Sequence, residues 1–448
     1  MTPTLVLLFG GVLLGALDIA IVGPALPAIA AELSLDSRQT SAIFTIYILF
    51  SLLGAPLLAS WSDRFGRRRL YIGCLVLFGL GSAVVASAQS PLWLLAGRAL
   101  QAFGAGGTLP VASAVIADRF PVERRGRALG LIGAVFGIAF LLGPLIGGLL
   151  LQWSWRWLFV VNLPLVVVLV ALSVAWLDDA AREREGKPDV AGMAALAIGL
   201  VALTVGASRF ELSAGGLFAI GVGGLVAFAV AGSALVLFRM AEQRAREPLV
   251  SPQLLDSGQM RIVGLLAIAT GLVEASMVFL PSLAVRALDV SASRASFMLL
   301  PLIVALIAGS LLAGRVLDRI GPRPVIQAGM FCTTAGLLLF ALLPLGTASF
   351  YASGLAVGLG LASLLGAPLR YVALREGGEA RRGASQGLLT ICLSSGRLFG
   401  ASLTGGMAAS AAAVTGYRRS MLLIAVACAI ALLATPWLRN ETSEIMRR

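Results

Sequence analysis

Long apolar runs alternate with short polar stretches along the whole chain. A run of about 20 apolar residues, rising ~1.5 Å each as an α-helix, matches the roughly 30 Å hydrocarbon core of a bilayer. Six such runs come first, at Leu5–Ala30, Gln39–Ala59, Leu70–Ala88, Leu92–Ala117, Ala128–Leu151 and Trp157–Leu177. Two follow at Val190–Ser208 and Gly215–Phe238, neither carrying a charge. Six more lie at Ile262–Val285, Ala295–Gly314, Val325–Leu345, Ser349–Ala373, Ala384–Ala409 and Met421–Leu438. The pattern predicts fourteen spans, all helical, because an isolated strand leaves its backbone polar groups unsatisfied in lipid. It divides the chain into an N-terminal six-helix bundle (1–177), a linker with two additional transmembrane helices (178–258) and a C-terminal six-helix bundle (259–448). The expected fold class is an all-α membrane protein with two related halves.

Composition also points to lipid rather than water as solvent. The chain is 58% hydrophobic and only 12% charged, whereas soluble domains are about 25% charged. Charge then sets the orientation. There are 34 Lys and Arg against 22 Asp and Glu, a net charge of +12. With both termini in the cytoplasm, the outer loops hold only Arg38, Arg156, Arg209, Arg286, Arg294, Arg418 and Arg419. Arg98 and Arg397 fall inside spans. Every other basic residue, Arg370 among them, is assigned to an inner loop or tail. This is the positive-inside bias of a multi-pass membrane protein. The 7 Trp residues fall near predicted helix ends, where the interface favours an amphipathic ring.

The basic residues come in small separated groups, so they offer no contiguous face to nucleic acid. Lys187 is the only lysine. That bias towards Arg fits a GC-rich prokaryotic genome, and hence the cytoplasmic (inner) membrane of a bacterium. Cys74, Cys332, Cys392 and Cys428 each sit inside an apolar run, with no metal-like spacing, and read as packing residues. There is no His, so a proton-linked step must use a carboxylate. No nucleophile–base constellation, phosphate loop or metal cluster is visible, which argues against an enzyme and against a cofactor. The start Met1-Thr2-Pro3-Thr4 lacks a basic n-region, so the first run is expected to stay as a span.

Several phrases stand out from this oily background. Asp63-Arg64-Phe65-Gly66-Arg67-Arg68-Arg69, between spans two and three, returns as Asp318-Arg319-Ile320-Gly321-Pro322-Arg323 between spans ten and eleven. Gly66 suits a tight turn, and Asp63 suits the N-terminus of a neighbouring helix, where the dipole favours an anion. Span four carries Arg98-Ala99-Leu100-Gln101-Ala102-Phe103-Gly104; an intramembrane Arg is costly and faces a partner or a watery cavity. Span five carries Gly130 and then Gly143-Pro144-Leu145-Ile146-Gly147-Gly148. Small residues let helices approach closely, and Pro bends the span. Span one contains Leu17-Asp18-Ile19-Ala20-Ile21-Val22 and ends at Ala25-Leu26-Pro27; span six opens with Trp155-Arg156-Trp157-Leu158-Phe159-Val160-Val161-Asn162-Leu163-Pro164.

In this order, and over almost the whole chain, these phrases resemble the fourteen-span drug:proton antiporters of the major facilitator superfamily. The family's hairpin pattern is Gly-x-Leu-Ala-Asp-Arg-x-Gly-Arg-Lys. Ala59 replaces its opening Gly here, while the downstream copy keeps Gly314. Ala102 replaces one Gly of the span-four pattern, and Ala139 one Gly of the span-five antiporter signature. The resemblance implies the major facilitator fold, two pseudo-symmetric six-helix bundles with two extra central helices, working by alternating access. It implies proton-coupled export of hydrophobic, cationic drugs or dyes. It implies gating roles for Asp63, Arg64, Gly66 and Arg67 and, in the second copy, for Asp318 and Arg319, with the stronger latch at Asp63. Gly130, Gly143, Pro144, Gly147 and Gly148 take the antiporter signature, and Arg98 takes part in proton coupling.

Only two of the 22 acidic residues lie deep within spans. They are Asp18 in span one and Glu274 in the ninth span, its counterpart in the second half. Burial disfavours the charged form of a carboxylate, and a nearby cation favours it. An acid balanced between the two binds a proton or holds a cationic substrate by turns. Arg98 would tune Asp18, and Arg397 would tune Glu274, if the helices bring them together. In the implied fold spans one and nine line a central cavity, with Phe44, Tyr47, Met277, Phe279, Phe297, Met298 and Arg397 as candidate lining residues. The expected partners are protons, a small hydrophobic or cationic substrate and membrane lipids, with the chain a monomer. Two other readings remain open: a dedicated exporter of an amphipathic lipid or natural product, and a non-transporting membrane receptor or scaffold.

Overall fold

The computed structural model describes residues 3–119, 135, 138–139, 141–177, 190–212, 218–220, 222–244, 254, 256–377, 382–410 and 413–439. Helices dominate, as apolar sequences demand when the backbone must bond to itself. In order they are α1 (Pro3–Glu32), α2 (Ser37–Phe65), α3 (Arg67–Ala86), α4 (Pro91–Arg119), α5 (Leu141–Leu150), the short α6 (Trp157–Val160), α7 (Asn162–Trp176), α8 (Val190–Ser208) and α9 (Val222–Arg244). Then come α10 (Gly258–Met277), α11 (Leu280–Leu288), α12 (Ala292–Phe297), α13 (Leu300–Ile320), α14 (Pro322–Leu342), α15 (Thr347–Leu365), α16 (Ala367–Gly377), α17 (Arg382–Ser410) and α18 (Ala413–Ala434).

Local chemistry sets the helix ends. Asp36 and Gln39 form a reciprocal capping box on α2, with Gln39 N–H donating to Asp36 Oδ1 at 2.7 Å and Asp36 N–H to Gln39 Oε1 at 3.1 Å. Such a box satisfies two otherwise orphaned donors. Ser257 caps α10 through Met260 N–H at 3.3 Å. The α2–α3 and α13–α14 hairpins each turn on one glycine at positive φ, Gly66 at 94° and Gly321 at 83°. Side chains rarely adopt that backbone, so glycine suits both turns.

The chain forms two compact units. The first comprises residues 1–188 with Ser291–Phe297, and the second comprises 189–290 with 298–448. In the first unit α4 packs against α2 and α3. A Cβ on Gly81 of α3 would collide with the backbone of Gln101 on α4, so that contact needs a glycine. In the second unit α10 packs against α17, where Gly400 sits so close that a Cβ would lie 2.7 Å from the Leu272 carbonyl oxygen. Close backbone approach through small residues is the usual way helices associate in lipid. Helices α1 and α10 are the most enclosed of the apolar helices, each with 72% of its most apolar stretch buried, against 22% for α9.

Among the described residues, eleven segments are long and apolar enough to cross a membrane. Of the fifth expected run, residues 128–134, 136–137 and 140 lie outside the described residues, and its second half forms α5. The seventh forms α8, apolar over Ala194–Ser208. The thirteenth forms α17, a 29-residue helix diluted by Gly and Ser. The eighth expected run needs correction at its start. Phe210–Leu212 and Phe218–Ile220 pair as a short antiparallel hairpin, and helix begins only at Val222. The aromatic and branched residues Phe210, Phe218 and Ile220 favour strand in these two segments. Arg370, assigned above to an inner loop, lies within helix α16 and inside the apolar segment Thr347–Gly377.

Candidate functional site

The enclosed helix α1 carries Asp18 into the middle of the first unit, where neither Asp18 nor Arg98 of α4 has any exposed surface. Arg98 Nη1 donates to Asp18 Oδ2 at 2.6 Å and to Gln101 Oε1 at 2.7 Å. Gln101, one helical turn from Arg98, sends Nε2 to Asp18 Oδ1 and to Ser82 Oγ, both at 2.8 Å. From α7, Asn162 Nδ2 reaches Ser82 Oγ at 3.3 Å and Asp18 Oδ1 at 3.5 Å. Tyr47 of α2 completes the shell. Its ring lies 4.2 Å from the Arg98 guanidinium carbon, and its hydroxyl donates to the Gly15 carbonyl at 3.3 Å. Five helices thus converge on one carboxylate. Two atoms of the cluster, Arg98 Nη2 and Asn162 Oδ1, are buried without a hydrogen-bond partner among the described residues.

The second unit holds its own pair. Arg397 of α17 meets Glu274 of α10 through Nε and Nη2, both 2.8 Å from Glu274 Oε2. This pair is not sealed: the side chains of Arg397 and Glu274 are 27% and 14% exposed. Both expected acid–arginine pairings therefore exist as contacts. Gln101, Ser82 and Asn162 were not among the candidate residues. Gln101 and Asn162 sit in the quoted phrases, and a lone amide in an apolar run is the signal that marks them.

The glycine hairpins place the remaining candidates. Arg67 Nε donates to Asp118 Oδ2 on α4 at 3.1 Å, and its Nη1 bonds Ser62 Oγ. Arg64 is exposed. The side chain of Asp63 and all of Gly130 lie outside the described residues. In the second hairpin Asp318 and Arg319 are exposed on α13. Of the α5 signature, Gly143 abuts Ala20 of α1, and a Cβ on Gly148 would press 2.7 Å from the Phe297 ring. Ser296 Oγ donates to the Pro144 carbonyl at 2.8 Å. A Cβ on Gly147 would make ordinary contact with Pro24 at 3.5 Å.

The candidate lining residues divide between the units. Phe44 and Tyr47 are buried in the first unit, and Phe297 belongs there too, 36% exposed. In the second unit Phe279 packs on the Tyr417 ring, with centroids 6.2 Å apart. Met277 is buried, and Met298 borders an apolar crevice with Leu280, Leu302, Phe350 and Tyr351.

Residues 8–192 and 262–447 match the model of the Major Facilitator Superfamily. The chain belongs to that superfamily. The unmatched stretch between holds most of α8 and all of α9. The superfamily's uncharacterized transporter YfiU of Bacillus subtilis is 34% identical over 85% of this chain and 74% of its own length. The multidrug transporter protein MdtP of the same organism is 30% identical, covering 81% of this chain and 66% of its own. A triacylglyceride transporter of Mycobacteroides abscessus is 30% identical over 88% of this chain and 80% of its own. The crystal structure of the nucleoside transporter NupG aligns with a TM-score of 0.66 at 14% identity, covering 98% of this chain and 99% of that one. This transporter is thus a multi-pass membrane protein of the major facilitator fold rather than an enzyme.

Proposed function

We propose that this transporter is a fourteen-span, proton-coupled antiporter of a bacterial cytoplasmic membrane that exports hydrophobic, cationic drugs or dyes. It works as a monomer with both termini inside, by alternating access of bundles 1–177 and 259–448 about the two-helix linker 178–258. The observation that carries this reading is Asp18, a carboxylate with no exposed surface, bonded at once by a guanidinium and an amide. A proton on Asp18 removes the counter-charge of Arg98 and leaves a guanidinium buried without compensation, a state costly enough to bias helix positions. Loss of the proton restores the pair. Proton traffic at one atom thereby becomes a conformational preference. Glu274 and Arg397 serve as the second coupling element. Asp63, Arg64, Gly66, Arg67, Asp318 and Arg319 act in gating, supported by the tie from Arg67 to Asp118 on α4. The relative named as a multidrug transporter supports the cargo class.

A second reading, export of one amphipathic lipid or natural product by the same machinery, is favoured by the relative named as a triacylglyceride transporter. The experiment is counterflow in proteoliposomes under an imposed proton gradient, with a panel of cationic dyes. Asp18→Asn is expected to abolish gradient-driven export while the protein stays folded. Normal coupled export by that variant would overturn the assignment. Failure of the whole panel with wild type, alongside flux of a lipid, would favour the second reading.

A further inference from the structure

Arg370 is a charge that proton coupling leaves unused. It lies on α16, inside the membrane-length segment Thr347–Gly377. Helix α16 packs against both α10 and α17, the helices that carry Glu274 and Arg397. Gln386 of α17 donates Nε2 to the Arg370 carbonyl at 3.2 Å, which fixes the two helices in register. The Arg370 guanidinium lies within Coulombic reach of both Arg397 and Glu274. Glu274 already answers Arg397 with two contacts at 2.8 Å. Arg370 is exposed, and its side chain makes no hydrogen bond or ion pair with the described residues. The group therefore holds two cations and one anion. The Asp18 cluster, by contrast, matches one cation with one anion and is closed.

We propose that Arg370, with Arg397 and Glu274, forms an oxyanion site in the second unit that takes the carboxylate, phosphate or sulfonate of an amphipathic compound. An arginine on a membrane-length segment is costly without a partner, and such residues mark ligand paths. The guanidinium fork matches a carboxylate or phosphate through two parallel N–H bonds. The partial exposure of Arg397 and Glu274 leaves the group within reach of a ligand. A cargo with both charges satisfies the whole group, its anion on Arg370 and its cation towards Glu274. This inference rests on the transport reading only in taking the compound as cargo. It narrows that cargo to amphiphiles whose cationic group is joined to an oxyanion. The same chemistry also fits the phosphate of a bilayer lipid.

The test is equilibrium binding to the full-length protein in nanodiscs of neutral phosphatidylcholine, with no proton gradient. Rhodamine B, which carries a free carboxylate, is compared with its ethyl ester by fluorescence anisotropy. Wild type is expected to prefer the free acid by about fivefold, the scale of a partly exposed ion pair. Arg370→Gln is expected to lose the preference, and Arg370→Lys to keep part of it. Equal binding of acid and ester by wild type, or a preference that survives Arg370→Gln, overturns the site. Adding phosphatidylglycerol separates the two sources. If it weakens rhodamine B binding in wild type but not in Arg370→Gln, lipid phosphate occupies the site and the cargo assignment falls. If it leaves binding unchanged, the cargo assignment holds. Asp18→Asn is expected to keep the acid preference, so a failure of proton coupling and a failure of this site read out separately.

Discussion

The two deep carboxylates of this transporter are held in opposite ways. Asp18 is bonded by Arg98, Gln101 and Asn162, and neither it nor Arg98 reaches the surface. Among the described residues Glu274 is held through a single oxygen by Arg397, and both partners keep some exposure. Their settings are otherwise parallel: α1 and α10 are equally enclosed, and each carries its acid past mid-length. The partners come from non-equivalent helices, Arg98 from the fourth span and Arg397 from the fifth of the second half. Repetition of a fold thus repeats the place for an acid without repeating its neighbours. A sealed cluster suits a group whose charge must be switched, whereas an open pair suits a group that meets ligands.

Removing the guanidinium from the sealed cluster should produce the largest effect. Arg98→Met leaves Asp18 as a buried carboxylate without a cation, a loss of about 3–5 kcal/mol. Thermal unfolding in detergent should show a large drop in midpoint. Adding Asp18→Asn to that variant should restore most of it, because a buried pair replaced on both sides by neutral groups is close to neutral in stability. An unchanged midpoint in Arg98→Met would mean that Asp18 has other compensation. Gln101→Leu should follow, at about 1–3 kcal/mol, since both Asp18 Oδ1 and Ser82 Oγ lose a donor in a dry site. A loss equal to that of Arg98→Met would show that the amide, rather than the ion pair, holds the cluster.

Much of the fold was legible because charge in lipid is conspicuous. Asp18, Glu274, Arg98 and Arg397 each interrupt an apolar run, and both hairpin glycines announce turns. The pairing of Asp18 with Arg98 was only a conditional expectation, because 80 residues separate them in the chain. Ser82 and Asn162 escaped notice because a neutral polar side chain barely alters hydropathy, although a buried hydroxyl or amide needs partners as strictly as a charge does. The strand Phe218–Ile220 falls inside a run that predicts a span, since Phe and Ile serve either structure. Arg370 falls near the end of the run Ser349–Ala373, yet it is counted with an inner loop. The chain instead resumes as α16 and carries the arginine alongside α17.

The smallest effect should come from the open pair, and it discriminates most sharply between the two sites. Arg397→Gln removes a cation whose side chain is 27% exposed and whose partner is 14% exposed, so solvent screening reduces the loss to about 1 kcal/mol or less. A double-mutant cycle with Glu274→Gln, read by thermal unfolding at low and high salt, should give a coupling of that size that shrinks as salt is added. The equivalent cycle on Asp18 and Arg98 should be several times larger and nearly insensitive to salt, because no solvent reaches either side chain. Equal couplings in the two cycles would erase the distinction between a sealed switch and an open contact. A salt-insensitive coupling at Glu274 would place that pair with Asp18, and would leave Arg370 as the only accessible charge of the second unit's group.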